Sequence, residues 1–300
     1  MPISRALMLA ATGLIAAPAL AQVTAEQLAA TEIRTEQVGE GLFVLFGLGG
    51  NIAASIGDQG VLIVDTQFPE LVPKYRAAIA ELGGQDIDLA IDTHWHYDHA
   101  DGNQRLGPEG VRIFAHENSR AMMTRDKVIN TVTRPLISQP AYSAEALPVA
   151  TFADSMQVHF NGETIDLMHF GPAHTTGDAA VFFRNHNAVH MGDVYISAGY
   201  PFVDADNGGD LDGMIGFLQS ALDELEPDAT VIPGHGPISD YAALESYIEM
   251  LTDVRNRIAA LIADGATLEQ VIASQPTAAW DAEFGNSAGL IDRAYASLSR

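Results

Sequence analysis

The alternation of apolar and polar residues predicts short strands at the start of the chain, followed by a helix and further strands. Short segments rich in apolar and β-branched residues, bounded by turn residues, predict four strands in the first half: Thr31–Val38, Leu42–Phe46, Ile52–Ile56 and Val61–Val64. Apolar residues at helical spacing predict a helix over Pro69–Leu82, and Asp88–Asp92 follows as a buried strand. Val111–Ala115 is predicted as a strand and His116–Arg125 as a helix, whereas residues 126–155 are predicted to be an irregular loop that serves as a substrate-binding flap.

The second half of the chain repeats this plan. Met156–Phe160 and Glu163–Phe170 flank Asn161-Gly162 and are predicted to form a hairpin. The further strands predicted are Ala180–Arg184, Ala188–Met191 and Ala229–Ile232, and the helices predicted are Asp210–Leu225, capped by its Asp, and Ala242–Ala263. Two strand-rich halves, each closed by helices, indicate an α/β protein with two packed sheets and the helices outside. Since no low-complexity linker is visible, residues 22–300 are interpreted as a single domain.

The composition is that of a soluble globular protein with an unusual charge. The 300 residues are 47% hydrophobic, but 15 basic residues face 39 acidic ones, which gives a net charge of −24. A protein that binds nucleic acid neutralises phosphates with Lys and Arg, and this chain has no basic cluster. We therefore expect a small-molecule substrate as the partner, and neither nucleic acid nor an anionic membrane surface.

The first 21 residues have the pattern of a secretory signal peptide. A basic start that contains Arg5 precedes an apolar run over Ala6–Ala17, and Ala19-Leu20-Ala21 is a small-x-small cleavage site. An uncleaved membrane anchor is the alternative, but the run is short for a spanning helix. Cleavage after Ala21 predicts a periplasmic or secreted protein without stable membrane association. The chain contains no cysteine, so its fold in that oxidising compartment cannot depend on disulfides.

The segment from His94 to His99 carries the strongest chemical signal. It has the pattern His-x-His-x-Asp-His and follows the predicted buried strand. In an extended chain, alternate side chains share a face, so His94 and His96 can converge on one ion. A turn after Tyr97 can direct Asp98 and His99 toward a second ion. Imidazole nitrogens and carboxylate oxygens are ligands that zinc prefers, so the segment predicts a dinuclear site. Chance clustering, a surface patch and a structural zinc site are the alternatives; structural zinc sites usually depend on cysteine.

Three further segments place a potential ligand in a glycine- or proline-rich loop after a predicted strand. They are Gly171–Asp178 with His174, Met191-Gly192-Asp193, and Pro233–Pro237 with His235. A single histidine in such a loop is more often an ordinary surface residue. The three segments become informative in combination with His94–His99.

The order of these segments resembles the five motifs of the metallo-β-lactamase superfamily. The residues that carry the resemblance are His94-x-His96-x-Asp98-His99, then His174, Asp193 and His235. The upstream Gly50-Asn51-Ile52 and Val64-Asp65-Thr66 also resemble its opening strands, and the resemblance covers residues 40 to 240. It implies a four-layer αββα sandwich, in which two mixed β-sheets are flanked by helices and a dinuclear metal centre lies between the sheets.

The resemblance also implies the ligand set. His94, His96 and His174 would hold the first metal, and Asp98, His99 and His235 the second, while Asp193 would bridge both. The metals implied are two Zn²⁺, with iron or manganese as alternatives. Two such cations can lower the pKa of a shared water from 15.7 to about 7, and the hydroxide formed would attack a carbonyl or ester centre. Asp98 is the predicted catalytic residue, which would orient the hydroxide and relay its proton.

The substrate is less well defined by the residues. Export suits a β-lactamase, but zinc β-lactamases usually have cysteine or serine where this chain has Asp193. Those with cysteine commonly have a lysine three residues later, where this chain has Ile196. Asp193 resembles the form found in glyoxalase II and in lactonases. The sequence therefore predicts a zinc hydrolase that opens a cyclic amide or ester, with β-lactam turnover as a primary or a secondary activity.

Several other functions stay open on the same residues. A lactonase, a thioesterase and a phosphodiester hydrolase belong to the same superfamily, and some members hold iron and act as oxidoreductases. A non-catalytic protein that only binds metal is a further alternative. A Gly-x-Ser-x-Gly motif is absent from the sequence, which argues against a serine hydrolase.

Other polar and aromatic residues near these motifs have predicted supporting roles. Five further histidines are interpreted as packing or surface residues: His116, His159, His169, His186 and His190. Trp95 and Tyr97 are expected to pack or to line the pocket. Thr175, Thr176 and Asp178 are expected to orient His174, and Tyr142 and Tyr200 to border the substrate groove.

Overall fold

The computed structural model describes residues 23–300. The predicted signal peptide, residues 1–21, and its cleavage point lie outside the described residues. None of the helices within residues 23–300 combines the length and the apolar character needed to cross a bilayer. The interpretation of residues 22–300 as a single domain stays a prediction.

Two large β-sheets form the centre of the fold. The strands are β1 Arg34–Gly39, β2 Leu42–Phe46, β3 Ile52–Gly57, β4 Gly60–Val64, β5 Ile87–Asp92, β6 Arg112–His116, β7 Lys127–Ile129, β8 Ile137–Gln139, β9 Ala150–Phe152, β10 Ser155–Phe160, β11 Glu163–Met168, β12 Ala180–Phe183, β13 Ala188–His190, β14 Thr230–Ile232 and β15 Ser239–Asp240. The first sheet has the order β1-β2-β3-β4-β5-β6-β9, and the second runs in chain order from β10 to β15. Both sheets are mixed, since β4, β5, β6 and β9 are parallel in the first and β13 and β14 in the second. Strands β7 and β8 form a separate hairpin.

Helices cover the outer faces of both sheets. They are α1 Ala25–Ala30, α2 Val72–Glu81, α3 Tyr97–Ala100, α4 Asn103–Leu106, α5 Glu117–Met123, α6 Leu211–Asp223, α7 Tyr241–Ala263, α8 Leu268–Ala273, α9 Asp281–Phe284 and α10 Ala288–Leu298. Asp210 caps α6 by accepting a hydrogen bond from the Gly213 amide at 2.7 Å, as predicted.

The alternation of side chains along each strand produces the layers. In β4, Val61 and Ile63 pack with the apolar face of α2, whereas Leu62 and Val64 pack toward the second sheet. On the far face of the second sheet, Phe182 packs in one buried cluster with residues of α6, α7 and α10. Each sheet is thus buried on both faces. This arrangement confirms the predicted αββα sandwich.

Most predicted elements are present, and three regions differ. Residues 126–155 are not wholly irregular, because they contain the β7–β8 hairpin and β9. The short helix α1 was missed, although Thr24 and Gln27 form a capping box at its start. Helices α8 to α10 were also missed, although Thr267 and Gln270 form the same motif at α8. These late helices matter for the site, because residues at the start of α10 line its cavity.

Candidate metal centre

The seven predicted ligands come together at one end of the two sheets. His94 and His96 follow β5, and Asp193 and His235 follow the parallel strands β13 and β14. Parallel neighbours end at the same edge of a sheet, so residues that are distant in the sequence meet there. His174 comes from the loop between β11 and β12.

His94, His96 and His174 form the first group of potential ligands. One nitrogen from each ring lies within 4.8 Å of the other two, and all three side chains are buried. The Nε2 atom of His174 is 2.8 Å from Nδ1 of His96. These are the three residues that the resemblance assigns to the first metal.

Asp98, His99 and His235 form the second group. Nε2 of His235 lies 3.1 Å from Nε2 of His99 and 3.3 Å from Oδ2 of Asp98. Helix α3 begins at Tyr97, directly after His96, and this change from extended to helical backbone places Asp98 and His99 beside His235. The turn predicted after Tyr97 is therefore a short helix that starts with that residue.

Asp193 lies between the two groups. Its Oδ1 is 3.1 Å from Nε2 of His99, and its Oδ2 is 3.7 Å from Nε2 of His174. His94, His99 and Asp193 also form a group of potential ligands by themselves. The carboxylate is thus placed where it can contact ions in both groups.

Each of four clustered histidines directs its second ring nitrogen to a fixed partner outside the cluster. The pairs are His94 Nδ1 with Thr93 Oγ1 at 3.0 Å, His96 Nε2 with Asp204 Oδ2 at 3.0 Å, His99 Nδ1 with Asp65 Oδ2 at 2.7 Å, and His174 Nδ1 with the Phe202 carbonyl at 2.7 Å. Such partners fix the ring orientation and the tautomer of metal-binding histidines. The nitrogens left over are those that face one another in the cluster.

Asp65 connects the end of β5 with the His99 ring. Its carboxylate accepts hydrogen bonds from the amide and the hydroxyl of Thr93, at 2.7 and 2.9 Å. Asp65 is fully buried and has a φ of +66°, a left-handed conformation that Asp tolerates better than most residues. In the sequence, Asp65 is recognisable only as part of a motif, and its contact with His99 was not predicted.

Asp204 was missed as a partner of His96. It lies 108 residues further along the chain, in a turn that no local pattern marks as part of the site. The three residues predicted to orient His174 do not do so directly, since Asp178 instead accepts hydrogen bonds from the amide and hydroxyl of Thr175. The Phe202 carbonyl holds His174.

The charges in the cluster suit cation binding. Burial, together with the neighbouring imidazoles, holds the pKa of His94 well below its usual value, so this ring is neutral and free to act as a ligand. Burial opposes the ionised forms of Asp98 and Asp193, but His235 and His99 lower both pKa values, that of Asp98 to about 2. The same carboxylates overcome the burial of His235 and raise its pKa to about 10.

Unsatisfied buried atoms test whether the residues fit metal ions. His94 Nε2 and Asp193 Oδ1 are buried and take part in no hydrogen bond, although Asp193 Oδ1 lies 3.1 Å from Nε2 of His99. A buried polar atom without a partner costs about 1–3 kcal/mol, and a cation between these atoms would satisfy both. The donor set suits zinc, iron or manganese. It consists of three imidazoles in one group, two imidazoles and a carboxylate in the other, and a carboxylate between the groups. The residues therefore fit two metal ions.

A cavity of about 250 Å³ opens onto this cluster. Its lining includes His96, Asp98 and Asp193, together with Tyr200 and Phe202. Tyr200 thus borders the groove, as predicted. Tyr142 does not, because it is buried and its hydroxyl donates a 2.7 Å hydrogen bond to Asp101. Trp95 is fully buried, while Tyr97 lines the cavity.

The five histidines interpreted as packing or surface residues lie outside the three groups of potential ligands found among residues 23–300. His116, His169 and His190 each contact a backbone carbonyl through a ring nitrogen. His186 contacts Glu163, and His159 lies on an exposed part of β10.

Comparison with known proteins agrees with this geometry. The sequence model of the metallo-β-lactamase superfamily matches residues 47–235, which contain all seven clustered residues. The chain belongs to the metallo-β-lactamase superfamily. Cavity residues contributed by α10 lie beyond the matched part.

Two solved metallo-β-lactamases and a third solved protein, TMB-1, share the fold of this superfamily member. The DIM-1 enzyme is 21% identical with a TM-score of 0.59, and covers 74% of this chain and 97% of its own. The enzyme from Pontibacter korlensis is 16% identical with a TM-score of 0.60, over 74% of this chain and all of its own. TMB-1 is 17% identical with a TM-score of 0.57, over 74% and 97%.

A relative whose named activity is O-demethylation also matches part of the chain. The chain is 27% identical over 140 residues to the alpha subunit of 2,4-dinitroanisole O-demethylase from Nocardioides sp. (strain JS1661). The match covers 46% of this chain and 38% of that subunit, so the chain spans well under half of the relative's length.

Proposed function

We propose that the protein is a dinuclear zinc hydrolase that opens a cyclic amide or ester. The observation that carries this proposal is the convergence of seven donor side chains, of which His94 and Asp193 have buried atoms without a hydrogen-bond partner. Bound zinc ions would lower the pKa of a water molecule and polarise the carbonyl oxygen of the substrate.

The side chains have separate tasks in this proposal. His94, His96 and His174 would hold the first ion, Asp98, His99 and His235 would hold the second, and Asp193 would contact both. Because the pKa of Asp98 is about 2, its carboxylate stays ionised at neutral pH. In this proposal it would accept a hydrogen bond from the attacking water, orient it, and relay its proton to the leaving amide nitrogen or ester oxygen.

The identity of the residue between the two ligand groups, Asp193, affects which substrates the site can hydrolyse. A carboxylate at Asp193 adds negative charge between the ions, which lowers their Lewis acidity relative to a site without it. Reactive carbonyls such as strained lactams, lactones and activated esters need less polarisation than ordinary amides. We therefore place β-lactams within the substrate range but not necessarily as the best substrates, with lactones and thioesters as the nearest alternatives.

A second candidate function is removal of an O-methyl group from an activated aryl ether. The named activity of the Nocardioides relative supports it, and the matched stretch is 140 residues long. An iron-dependent oxidoreductase on the same fold is the third candidate, since the donor set also suits iron.

One experiment separates these candidates. The purified protein is assayed with nitrocefin, a lactone, a thioester and 2,4-dinitroanisole, and its metal content is measured in parallel. The proposal expects two zinc ions per chain and turnover of a lactam or ester. Turnover of the ether alone would favour the second candidate, and stoichiometric iron with oxygen consumption would favour the third. Full metal content without turnover of any compound would indicate a metal-binding protein without hydrolase activity.

The predicted location is part of the proposal. An N-terminal segment with the pattern of a signal peptide supports a periplasmic or secreted enzyme. Detection of the protein in the periplasmic or extracellular fraction, with an N-terminus at Gln22, tests this directly.

A further inference from the structure

One basic side chain lines the cavity at the cluster. Among the residues that line the cavity of about 250 Å³, Arg134 is the only arginine or lysine. The chain as a whole has 15 basic and 39 acidic residues, so an arginine beside Asp98 and Asp193 stands out against its surroundings.

The guanidinium of Arg134 is free to bind a ligand. Within residues 23–300, the arginines that form ion pairs are Arg34, Arg76, Arg105, Arg184, Arg255, Arg257 and Arg293. Arg134 belongs to none of these pairs and is exposed. An anion that binds it therefore displaces no internal partner.

The loop that carries Arg134 is tied to the site. It joins β7 and β8, and Asn207 donates a 2.9 Å hydrogen bond to the Val128 carbonyl just before it. Within the loop, Asn130 donates a 3.1 Å hydrogen bond to Asp206, which also pairs with Arg293 of α10 at 2.8 Å. Asp206 and Asn207 belong to the same turn as Asp204, the partner of His96. The start of the loop that carries Arg134 is thus held to the turn that carries Asp204.

Arg134 also separates two cavities. A second cavity of about 500 Å³ shares only Tyr97 and Arg134 with the first, and its mixed lining includes the apolar Leu48, Phe68 and Ile137. Ligand sites usually have about 300–1,000 Å³, so the first cavity alone is small for a drug-sized substrate. A substrate whose reactive group lies at the cluster would therefore extend past Arg134.

We propose that Arg134 is a specificity-determining residue that binds a carboxylate of the substrate, at the boundary between the two cavities. A planar guanidinium matches a carboxylate with two parallel hydrogen bonds. A singly charged carboxylate is favoured over a doubly charged phosphate in the second cavity, because Asp101 lines that cavity together with Arg134 and repels negative charge. This inference rests on the proposed hydrolase function and names its substrate class: amides or esters that carry a free carboxylate.

Kinetics on matched substrates test the inference. The zinc-loaded protein is assayed with nitrocefin and with the mono-p-nitrophenyl ester of glutarate, each as the free carboxylate and as its methyl ester. Arg134→Ala should raise the KM for the free acids by about tenfold to a hundredfold, with kcat nearly unchanged and little effect on the methyl esters. Arg134→Lys should recover part of the loss, because it keeps the charge but lacks the planar fork. Arg125→Ala is the matched control, since Arg125 is exposed in the same region and does not line either cavity.

A binding measurement keeps this inference separate from the proposed function. Phenylacetate is titrated calorimetrically into the zinc-loaded wild-type protein and the Arg134→Ala and Arg125→Ala variants. Weaker binding to Arg134→Ala alone supports the inference even if no substrate is turned over. Equal binding to all three proteins overturns it, as does a KM that rises equally for acids and methyl esters. If Arg134→Ala weakens the binding of inorganic phosphate more than that of phenylacetate, the choice of a carboxylate is overturned.

Discussion

The imidazole of His96 donates a hydrogen bond from Nε2 to the carboxylate of Asp204, at 3.0 Å, and both side chains are almost fully buried. This contact leaves Nδ1 of His96 directed at His174. Asp204 also accepts two hydrogen bonds from the Asn207 side chain, at 3.0 and 3.1 Å, so its own orientation is fixed. A turn far from the histidine motif thus decides which nitrogen of His96 is available to a metal.

The first prediction concerns Asp204→Asn. Since an amide is a weaker acceptor for the His96 N–H than a carboxylate, metal affinity should fall by about tenfold to a hundredfold. Competition with a chromogenic chelator measures the affinity. Asp206→Asn is the control, because Asp206 lies in the same turn without touching His96. Equal affinities for wild type and Asp204→Asn would show that the contact does not tune the site.

The second prediction separates the two metal positions. His96→Ala should remove the first ion and Asp98→Ala the second, so each variant should retain one zinc ion per chain and lose activity. Metal analysis after dialysis, together with turnover of nitrocefin or a lactone, gives both readouts. His159→Ala should behave like wild type, because His159 lies on exposed strand β10. A fully active His96→Ala or Asp98→Ala protein would contradict the ligand assignment.

The third prediction concerns the bridging position. Asp193→Cys should raise the turnover of β-lactams relative to lactones, because zinc β-lactamases usually have cysteine or serine there. Both substrates are assayed on samples with the same measured zinc content, so that metal loss is not mistaken for a change in preference. An unchanged ratio would show that Asp193 does not limit β-lactam turnover.

The fourth prediction contrasts two tyrosines. Tyr142→Phe should lower the free energy of unfolding by about 1–2 kcal/mol, because Asp101 loses a hydrogen bond in a mostly buried setting. KM should stay unchanged, since Tyr142 does not line the cavity at the cluster. Tyr200→Phe should instead change KM more than stability, because Tyr200 lines that cavity and is only partly buried. Urea denaturation and steady-state kinetics on both variants check the contrast, and a larger KM effect for Tyr142→Phe would reverse the assignment.

The fifth prediction concerns removal of metal. Exhaustive chelation should abolish activity and lower the Tm, because ions that bind only the folded chain stabilise it. Free zinc at about one hundred times its Kd would contribute about 2.7 kcal/mol. Calorimetry before chelation, after chelation and after zinc is restored measures the effect. Protein that stays active without metal would rule out the proposed hydrolase.

The sequence by itself determined the layers of the fold and the identity of the clustered residues. Strand β2 was predicted with its observed bounds, because a strand that packs on both faces consists of a continuous apolar run. The histidine motif was equally clear, since closely spaced ligands on one short segment leave a local signature.

The tertiary structure alone decided what lies around those residues. Asp65 and Asp204 contact the cluster across 34 and 108 residues of chain, and no local pattern encodes such a pairing. The cavity wall is likewise built from the β7–β8 loop and the start of α10, which the sequence analysis treated as irregular or did not assign. Local periodicity records which face of an element is buried, whereas the partner of a polar side chain depends on how distant elements pack.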